Sequence, residues 1–315
     1  MKEIMKTKKN EHQIIGILVN PRKEQIVLPL GILDKWQKEN LQSGKYDVEF
    51  LLSAVEAKGL DHQFKYLKRA ESGEVLERAQ MILAFGGDGT ILRTVQLVGQ
   101  REIPIMGVNL GGLGFLAEAT PEELVNDLEN YLEGAYHLEE RSLLDCSVIQ
   151  TKETFFAFND LVFDKAGFSR VIQIVTHVDN CLLNSYIADA LIISTPTGST
   201  GYSLSAGGPI VVPEANVFII NPICPHSLTN RPVVVPDTSR IRLQVYTEFK
   251  EVKLFRDGHE VGGYPSGTSF EISRANFTVR LVKMEHHSFY ETLRNKLHWG
   301  EDFRNKKRWT YKNAH

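Results

Sequence analysis

One feature constrains the fold of the first 138 residues most strongly. Short apolar runs stop at glycine or another turn residue, and a helical pattern follows each of them. Predicted strands at 14–19, 80–85 and 103–108 alternate with helical patterns at 26–41 and 90–98. Thr120 and Pro121 begin one further helix, which we expect to run to about Glu133. Strands that alternate with helices in this way predict a parallel sheet covered by helices.

The pattern changes from about Leu138. Residues 240–245 alternate polar and apolar side chains with a period of two, as a half-buried strand does. Further strand-like runs are 142–149, 154–163, 171–178, 216–220 and 276–282, and Asp257-Gly258 is a hairpin signal. Residues 286–304 turn helical again. We therefore expect an α/β unit of residues 1–138, joined by about 285–315, and a mostly antiparallel β unit of residues 139–284.

The composition excludes several classes of protein. Of the 315 residues, 42% are hydrophobic and 24% are charged, which is typical of a globular chain rather than a disordered or fibrous one. No apolar run reaches the roughly 18 residues of a membrane helix. A net charge of −3 provides no broad attraction for nucleic acid or anionic lipid. Three widely separated cysteines indicate a reducing compartment. We expect a cytoplasmic protein with a frayed N-terminal tail and with no nucleic-acid or membrane partner.

A glycine-rich segment, Gly86-Gly87-Asp88-Gly89-Thr90, stands between a predicted strand and a predicted helix. Folds of the α/β class bind ligands at this position, and the N–H groups that begin a helix suit phosphate. Asp88 is the informative residue, because an anion among phosphate-binding groups is repelled unless it binds a metal or accepts a proton. A tight turn with a solvated aspartate is the alternative interpretation.

Three further segments carry residues suited to a nucleotide. A glycine loop at 111–114 precedes Phe115, and it either carries this ring toward a ligand or buries it in the core. Residues 194–209 concentrate hydroxyl groups directly after a predicted strand, where they could bind ribose, base or phosphate. Asn159 and Asp160 are poor strand formers within a strand-like run, so they mark either a bulge or a ligand contact. A carboxylate at this place suits vicinal ribose hydroxyls.

Four segments occur in the order in which NAD kinases carry them, and the chain resembles that family over roughly residues 80–300. They are Gly-Gly-Asp-Gly-Thr at 86–90, Asn-Asp at 159–160, Thr-Pro-Thr-Gly-Ser-Thr-Gly-Tyr at 195–202 and Cys-Pro-His-Ser-Leu-Thr-Asn-Arg-Pro at 224–232. The first segment is shared with lipid kinases and phosphofructokinases. The third and fourth segments are far more specific.

The resemblance implies an enzyme that phosphorylates the 2′-hydroxyl of the adenosine ribose of NAD, giving NADP. It implies ATP or polyphosphate as the donor, Mg²⁺ or another divalent metal, and NADH as a second possible acceptor. It also implies a Rossmann-like α/β N-terminal domain and a C-terminal β-sandwich domain, with a C-terminal tail that returns to the first domain. The implied assembly is a homodimer or a homotetramer.

By the same resemblance, Asp88 is the proton acceptor, and Gly86, Gly87, Gly89 and Thr90 contact the phosphate donor. The implied NAD contacts are Asp88, Gly89, Arg93, Phe115, Asn159, Asp160, Arg170, Ile187, Asp189, Thr200, Gly201, Tyr202, Ser203, Leu204, Ser205 and His259. No set of protein ligands for a metal is predicted.

The chain departs from the family pattern at several positions. Asp160 stands where many members have Glu, and Gly201 stands where Ala is usual. Ile187 replaces an Arg of several members, which leaves the choice between NAD and NADH open, and His259 occupies a position that is often Gln.

Two other functions compete with the kinase interpretation. A lipid kinase would share the first segment, but it should carry a basic or apolar stretch that faces a membrane. A nucleotide sensor would bind NAD(P) without transfer, and the presence of Asp88 argues against it.

Overall fold

The computed structural model describes residues 12–19, 24–55, 57, 59–60, 64–112, 114–117, 119–167, 170–284 and 288–299. The predicted N-terminal tail and residues 286–287 and 300–304 of the predicted C-terminal helix lie outside this set. Within it, no helix combines the length and the apolar character needed to cross a bilayer.

A seven-stranded sheet forms the centre of the first unit. Its strands are β1 (Gln13–Val19), β2 (Val48–Ser53), β3 (Lys68–Ala70), β4 (Met81–Gly86), β5 (Ile105–Asn109), β6 (His137–Arg141) and, much later in the chain, β19 (Val279–Lys283). Their order is β3-β2-β1-β4-β5-β19-β6, and each pairing is parallel except that of β19 with β6. The predicted parallel sheet is confirmed.

Four helices cover the two faces of this sheet: α1 (Val27–Ser43), α2 (Ser72–Arg78), α3 (Asp88–Val98) and α4 (Leu124–Glu133). Helices α1 and α4 pack on one face, where Leu30 and Leu128 join one apolar core. Helices α2 and α3 pack on the other face, where Val75 and Ile91 join a second core. Because both faces are covered, the central strands are apolar throughout, as in β4, whose six residues are all buried.

Two six-stranded antiparallel sheets form the second unit. Their strands are β7 (Leu144–Val148), β8 (Thr154–Ala157), β9 (Asp160–Asp164), β10 (Ile172–Val178), β11 (Cys181–Ala188), β12 (Ala190–Ser194), β13 (Val217–Ile223), β14 (Val233–Pro236), β15 (Ile241–Tyr246), β16 (Val252–Arg256), β17 (His259–Tyr264) and β18 (Ser269–Arg274). The orders are β11-β10-β15-β18-β7-β8 and β14-β13-β12-β9-β16-β17. Alternate residues of both sheets, such as Phe163 and Phe270, fill one core between them. The predicted β-sandwich is therefore confirmed.

Two further helices follow the four that cover the first sheet. The helix α5 (Tyr202–Ser205) follows a 3₁₀ turn at Thr197–Thr200, and α6 (Phe289–Leu297) follows β19. Helix α6 packs beside the first unit, where the ring of Phe289 lies 6.1 Å from that of Phe115.

The run 154–163 holds two strands rather than one. The strand β8 ends at Ala157 in one sheet, and β9 begins at Asp160 in the other. Phe158 and Asn159 carry the chain between the sheets. The poor strand formers at this place therefore mark a crossing of the sandwich.

The run 276–282 joins the first unit although it follows the strands of the second. As β19 it lies between β5 and β6 and completes the seven-stranded sheet. Our division of the chain at 138 and near 285 stays a prediction. Strand β6 spans the first of these positions, and β19 ends just before the second.

Candidate functional site

The first glycine segment forms the turn between β4 and α3. A β-carbon at Gly86 would lie 1.9 Å from the Oγ1 atom of Thr90, so the turn requires the smallest residue there. The N–H group of Thr90 donates to the carbonyl oxygen of Gly87 at 2.9 Å. Asp88 is the first residue of α3, and a negative charge is favourable at a helix N-terminus.

The second glycine loop holds the carboxylate of Asp88. The N–H group of Phe115 donates to its Oδ2 atom, and that of Leu116 donates to its Oδ1 atom, both at 3.0 Å. The two loops meet because β4 and β5 are adjacent parallel strands, so their carboxyl ends lie at one edge of the sheet. The side chain of Asp88 remains 29% exposed, which leaves it open to a ligand.

One face of α3 connects Asp88 to the second unit. Leu92 and Gln96 follow Asp88 at intervals of four residues and therefore share a helix face with it. Leu92 lines a cavity of about 440 Å³. One turn later, the Nε2 atom of Gln96 donates to the Oδ2 atom of Asp257 at 2.9 Å.

The cavity brings together residues of two predicted segments. Its lining consists of Leu92, Asn159, Asp160, Val162, Asp164, Tyr202, Phe255, Asp257 and Gly258. The Oδ1 atom of Asn159 is buried and has no hydrogen-bond partner among the described residues. A buried acceptor of this kind is costly unless a ligand or a water donates to it. The cavity therefore has the character of a site for a polar ligand.

Two buried carboxylates stand on one wall of this cavity. Asp257 accepts the N–H groups of Phe158, Asn159 and Asp160 at 2.7–3.2 Å, and it fixes the crossing between the sheets. Burial raises the pKa of Asp257 above its usual range. Burial, with the nearby charge of Asp257, raises the pKa of Asp160 to about 7. Asp160 therefore titrates near neutral pH.

The third segment packs against the crossing. The carbonyl oxygen of Asn159 accepts the N–H group of Thr195 at 2.9 Å. A β-carbon at Gly198 would lie 2.1 Å from this oxygen, so glycine is required there too. The Nη1 atom of the buried Arg141 donates to Thr197 at 3.1 Å and ties the segment to the first sheet.

Some side chains of residues 200–204 face the cavity, and others are buried in the core. Tyr202 is 50% exposed and lines the cavity. Ser203 is buried and faces Asn221, whose Nδ2 atom donates to it at 3.2 Å. Thr200 donates to the carbonyl oxygen of Thr197 at 3.3 Å, and Leu204 is half-buried. Of this segment, Tyr202 is thus the residue best placed to contact a ligand.

Several predicted site residues lie elsewhere. Arg170 and Ile187 line a second cavity, of about 580 Å³, where Arg170 pairs with Glu248. Asp189 precedes β12 at the end opposite to Ser194, and its carboxylate pairs with Lys165 at 2.7 Å. Arg93 and His259 are exposed on α3 and at the start of β17.

Three residues near the site were not predicted: Gln96, Asp257 and Lys296. Asp257 was recognised only as a turn residue, and the sequence does not show that its side chain faces the crossing. The Nζ atom of Lys296 lies 3.5 Å from the Oδ2 atom of Asp88. Each of these contacts joins segments that are distant in sequence, and no local pattern indicates them.

No cluster of three or more His, Cys, Asp or Glu side chains that could hold a metal ion occurs in the described part of the chain. Asp88 offers one partly exposed carboxylate at the turn between β4 and α3.

Comparisons with known proteins identify both units. Residues 15–136 match the family model of the ATP-NAD kinase N-terminal domain, and residues 158–284 match that of the ATP-NAD kinase C-terminal domain. The chain is 42% identical over 238 residues to an NAD kinase of Geotalea daltonii, which covers 74% of this chain and 83% of that relative.

Two solved structures have a similar fold. Yeast NADH kinase complexed with NADH gives a TM-score of 0.84 at 24% identity, covering 95% of this chain and 91% of that chain. An NAD kinase from Archaeoglobus fulgidus in complex with ATP gives a TM-score of 0.69 at 25% identity, covering 91% and 99% of the two chains.

Proposed function

The chain belongs to the NAD kinase family, and we propose that Asp88 is the proton acceptor of its reaction. The protein is a transferase that phosphorylates NAD with ATP and forms NADP. The observation that carries the proposal for Asp88 is the shared face of α3. On this face Asp88 is the first residue of α3, at a turn whose N–H groups suit phosphate, and Leu92, one turn later, lies in the wall of the cavity.

The reaction moves one phosphoryl group. The 2′-oxygen of the ribose forms a bond to the terminal phosphorus of ATP, the bond from that phosphorus to the β-phosphate oxygen breaks, and ADP leaves. The proton of the 2′-hydroxyl passes to the carboxylate of Asp88. Because Phe115 and Leu116 donate to this carboxylate, its orientation is set before the substrates bind.

The cavity supplies the binding site for the nucleoside in this proposal. Ribose hydroxyls donate to the free Oδ1 atom of Asn159 and to the carboxylate of Asp160. The exposed ring of Tyr202 stacks on a base. The shorter side chain of Asp160 requires the ribose to lie close to β9 or a water to bridge the gap.

We further propose that the donor phosphates bind at the turn of Gly86, Gly87, Gly89 and Thr90, where N–H groups begin α3. A magnesium ion fits this place, because Mg²⁺ takes hard oxygen ligands and usually needs only one or two carboxylates besides phosphates and water. The donor phosphates and water would hold it beside Asp88, whose carboxylate accepts the proton, and the ion would neutralise charge on the donor.

Arg170, Ile187, Asp189, Arg93 and His259 remain proposed NAD contacts from the family resemblance. Arg170→Ala and Ile187→Arg test the second cavity through the KM values for NAD and NADH. We also propose a homodimer or a homotetramer, which light scattering on the purified protein measures. The edge strand β11 supports an assembly, because it exposes Leu182 and Ile187.

One matrix of assays tests the function. Purified protein is incubated with NAD or NADH, each combined with ATP or polyphosphate, and NADP(H) formation is followed. We expect product with NAD and ATP, and the other three combinations establish the acceptor and donor range. Binding of NAD without any product would favour a sensor, and phosphorylation of diacylglycerol instead of NAD would favour a lipid kinase.

A further inference from the structure

A lysine of the C-terminal helix stands beside the proposed proton acceptor. The Nζ atom of Lys296 lies 3.5 Å from the Oδ2 atom of Asp88 and 4.8 Å from the centre of the Phe115 ring. Helix α6 is fixed in this position because Thr292 and Leu293 are buried and Phe289 packs against Phe115. Helix α6 thus places the positive charge of Lys296 at the edge of the first sheet.

Asp88 does not depend on this lysine for its hydrogen bonds. Its two oxygens already accept N–H groups of the second glycine loop at 3.0 Å, whereas 3.5 Å is long for a bond from an ammonium group. The lysine side chain is 38% exposed, and a partly exposed ion pair contributes little to stability. The ammonium group can therefore turn to an incoming anion while the carboxylate stays in place.

We propose that Lys296 is a further catalytic residue, whose ammonium group binds the phosphoryl group during its transfer. This inference rests on the proposed role of Asp88. A phosphoryl group that reaches the 2′-oxygen must approach an anionic carboxylate, and a cation between the two offsets their repulsion. A lysine is suited to this task because it is a compact charge with three donors on a flexible stem.

Lys296 transfers no proton in this step. The bond from phosphorus to the ribose oxygen forms, the bond to ADP breaks, and the proton goes to Asp88, while the lysine stays protonated. Its effect is electrostatic, so it depends on the charge rather than on the shape of the side chain. The ring of Phe115 keeps the ammonium group near the reacting atoms through a cation–π contact.

The test compares Lys296→Met, which keeps most of the length, with Lys296→Arg, which keeps the charge. Arg294→Met is the matched control, because Arg294 is an exposed cation of the same helix. We expect Lys296→Met to lower kcat about 100-fold, with the KM for NAD, the inhibition constant of ADP and the melting temperature unchanged. Lys296→Arg should recover most of kcat, and Arg294→Met should match the parent protein.

Two results would overturn the inference. One is a Lys296→Met protein with the parent kcat. The other is a loss that arginine does not restore and that follows a fall in melting temperature, which would show a structural role. Asp88→Asn in the same assays separates the two proposals: if it stays active, the role of Asp88 fails too, whereas an inactive Asp88→Asn beside an active Lys296→Met removes only the role of Lys296.

Discussion

A β-carbon at Gly114 would lie 2.2 Å from the Oδ1 atom of Asp88. The second glycine loop is therefore shaped around this carboxylate, and its N–H groups donate to it from the same side. Gly114 is required by a close approach rather than by an unusual backbone angle. The side chain of Asp88, from the first glycine loop, thus determines which residue fits at position 114 of the second loop.

Replacement of Gly114 by alanine should displace Asp88. A misplacement of about 1 Å can cost about 100-fold in rate, so we expect kcat to fall by that order. Gly112→Ala is the matched control, because a β-carbon at Gly112 meets nothing within 4 Å. Steady-state kinetics of the two variants check the prediction. Equal kcat values for both would show that the position of Asp88 does not limit the reaction.

Asp88→Asn should lower kcat by roughly 10²–10⁴-fold, the usual contribution of a general base. NAD binding should persist, because the residues that line the cavity are unchanged and an asparagine can still accept a hydrogen bond from the 2′-hydroxyl. An asparagine offers only one oxygen to the N–H groups of Phe115 and Leu116. The melting temperature must therefore be measured beside kcat and the Kd for NAD. Near-normal turnover would refute the assigned role.

Asp257→Asn should lower the free energy of unfolding by about 1–3 kcal/mol, since the amide keeps one acceptor oxygen and turns a donor NH2 group toward donors that now bind the second oxygen. It should also raise the KM for NAD, because Asn159 and Asp160 are held by this carboxylate. Asp179→Asn is the matched control, because Asp179 also has a positive φ. Its carboxylate accepts the backbone N–H of Arg240 at 2.8 Å, and neither residue lines the cavity. This control should change stability without changing the KM for NAD.

The contribution of Asp160 to the stability of the protein should fall as the pH rises from about 4 to above 7. The raised pKa of Asp160, about 7, means that the folded state holds this proton after the unfolded state has released it. Unfolding by denaturant at several pH values should show a loss on the order of 1–3 kcal/mol over this range. In Asp160→Asn the slope should be smaller, with a remainder from Asp257, whose pKa is raised in the same direction. An unchanged slope in the variant would assign the effect to other groups.

NAD binding should release a proton near pH 7. Ribose hydroxyls that donate to Asp160 favour its ionised form and lower its pKa in the complex. Calorimetry in two buffers with different ionisation enthalpies measures the protons released. Asp160→Asn should release none from this position, and equal release by the two proteins would show that Asp160 does not contact the ligand through its carboxylate.

The sequence predicted the parts of the site that depend on local rules. Glycine segments were predicted directly after two strands, and the structure shows that these segments meet because β4 and β5 are adjacent parallel strands. The hairpin at Asp257-Gly258 was also predictable, since both residues have a positive φ in the structure and this dipeptide favours such a turn.

The remaining features depend on tertiary contacts that leave no local trace. The cost of Asn159 and Asp160 in a strand-like run was visible, but only the structure shows that the chain changes sheets there. The inward orientation of Ser203 depends on Asn221, which lies on another strand. Likewise, the partners of Gln96 and Lys296 belong to distant segments, and helical periodicity alone does not select them.

The placement of β19 sets a requirement on biosynthesis. Strand β6 leaves the ribosome long before β19, the neighbour that joins it to the rest of its sheet. Until residue 283 has been made, β6 and the start of β5 at Ile105 lack this neighbour, and unpaired strand edges invite association with other chains. The nascent first unit therefore completes its sheet only after the whole sandwich has been translated, so a fragment that ends before β19 should aggregate rather than fold.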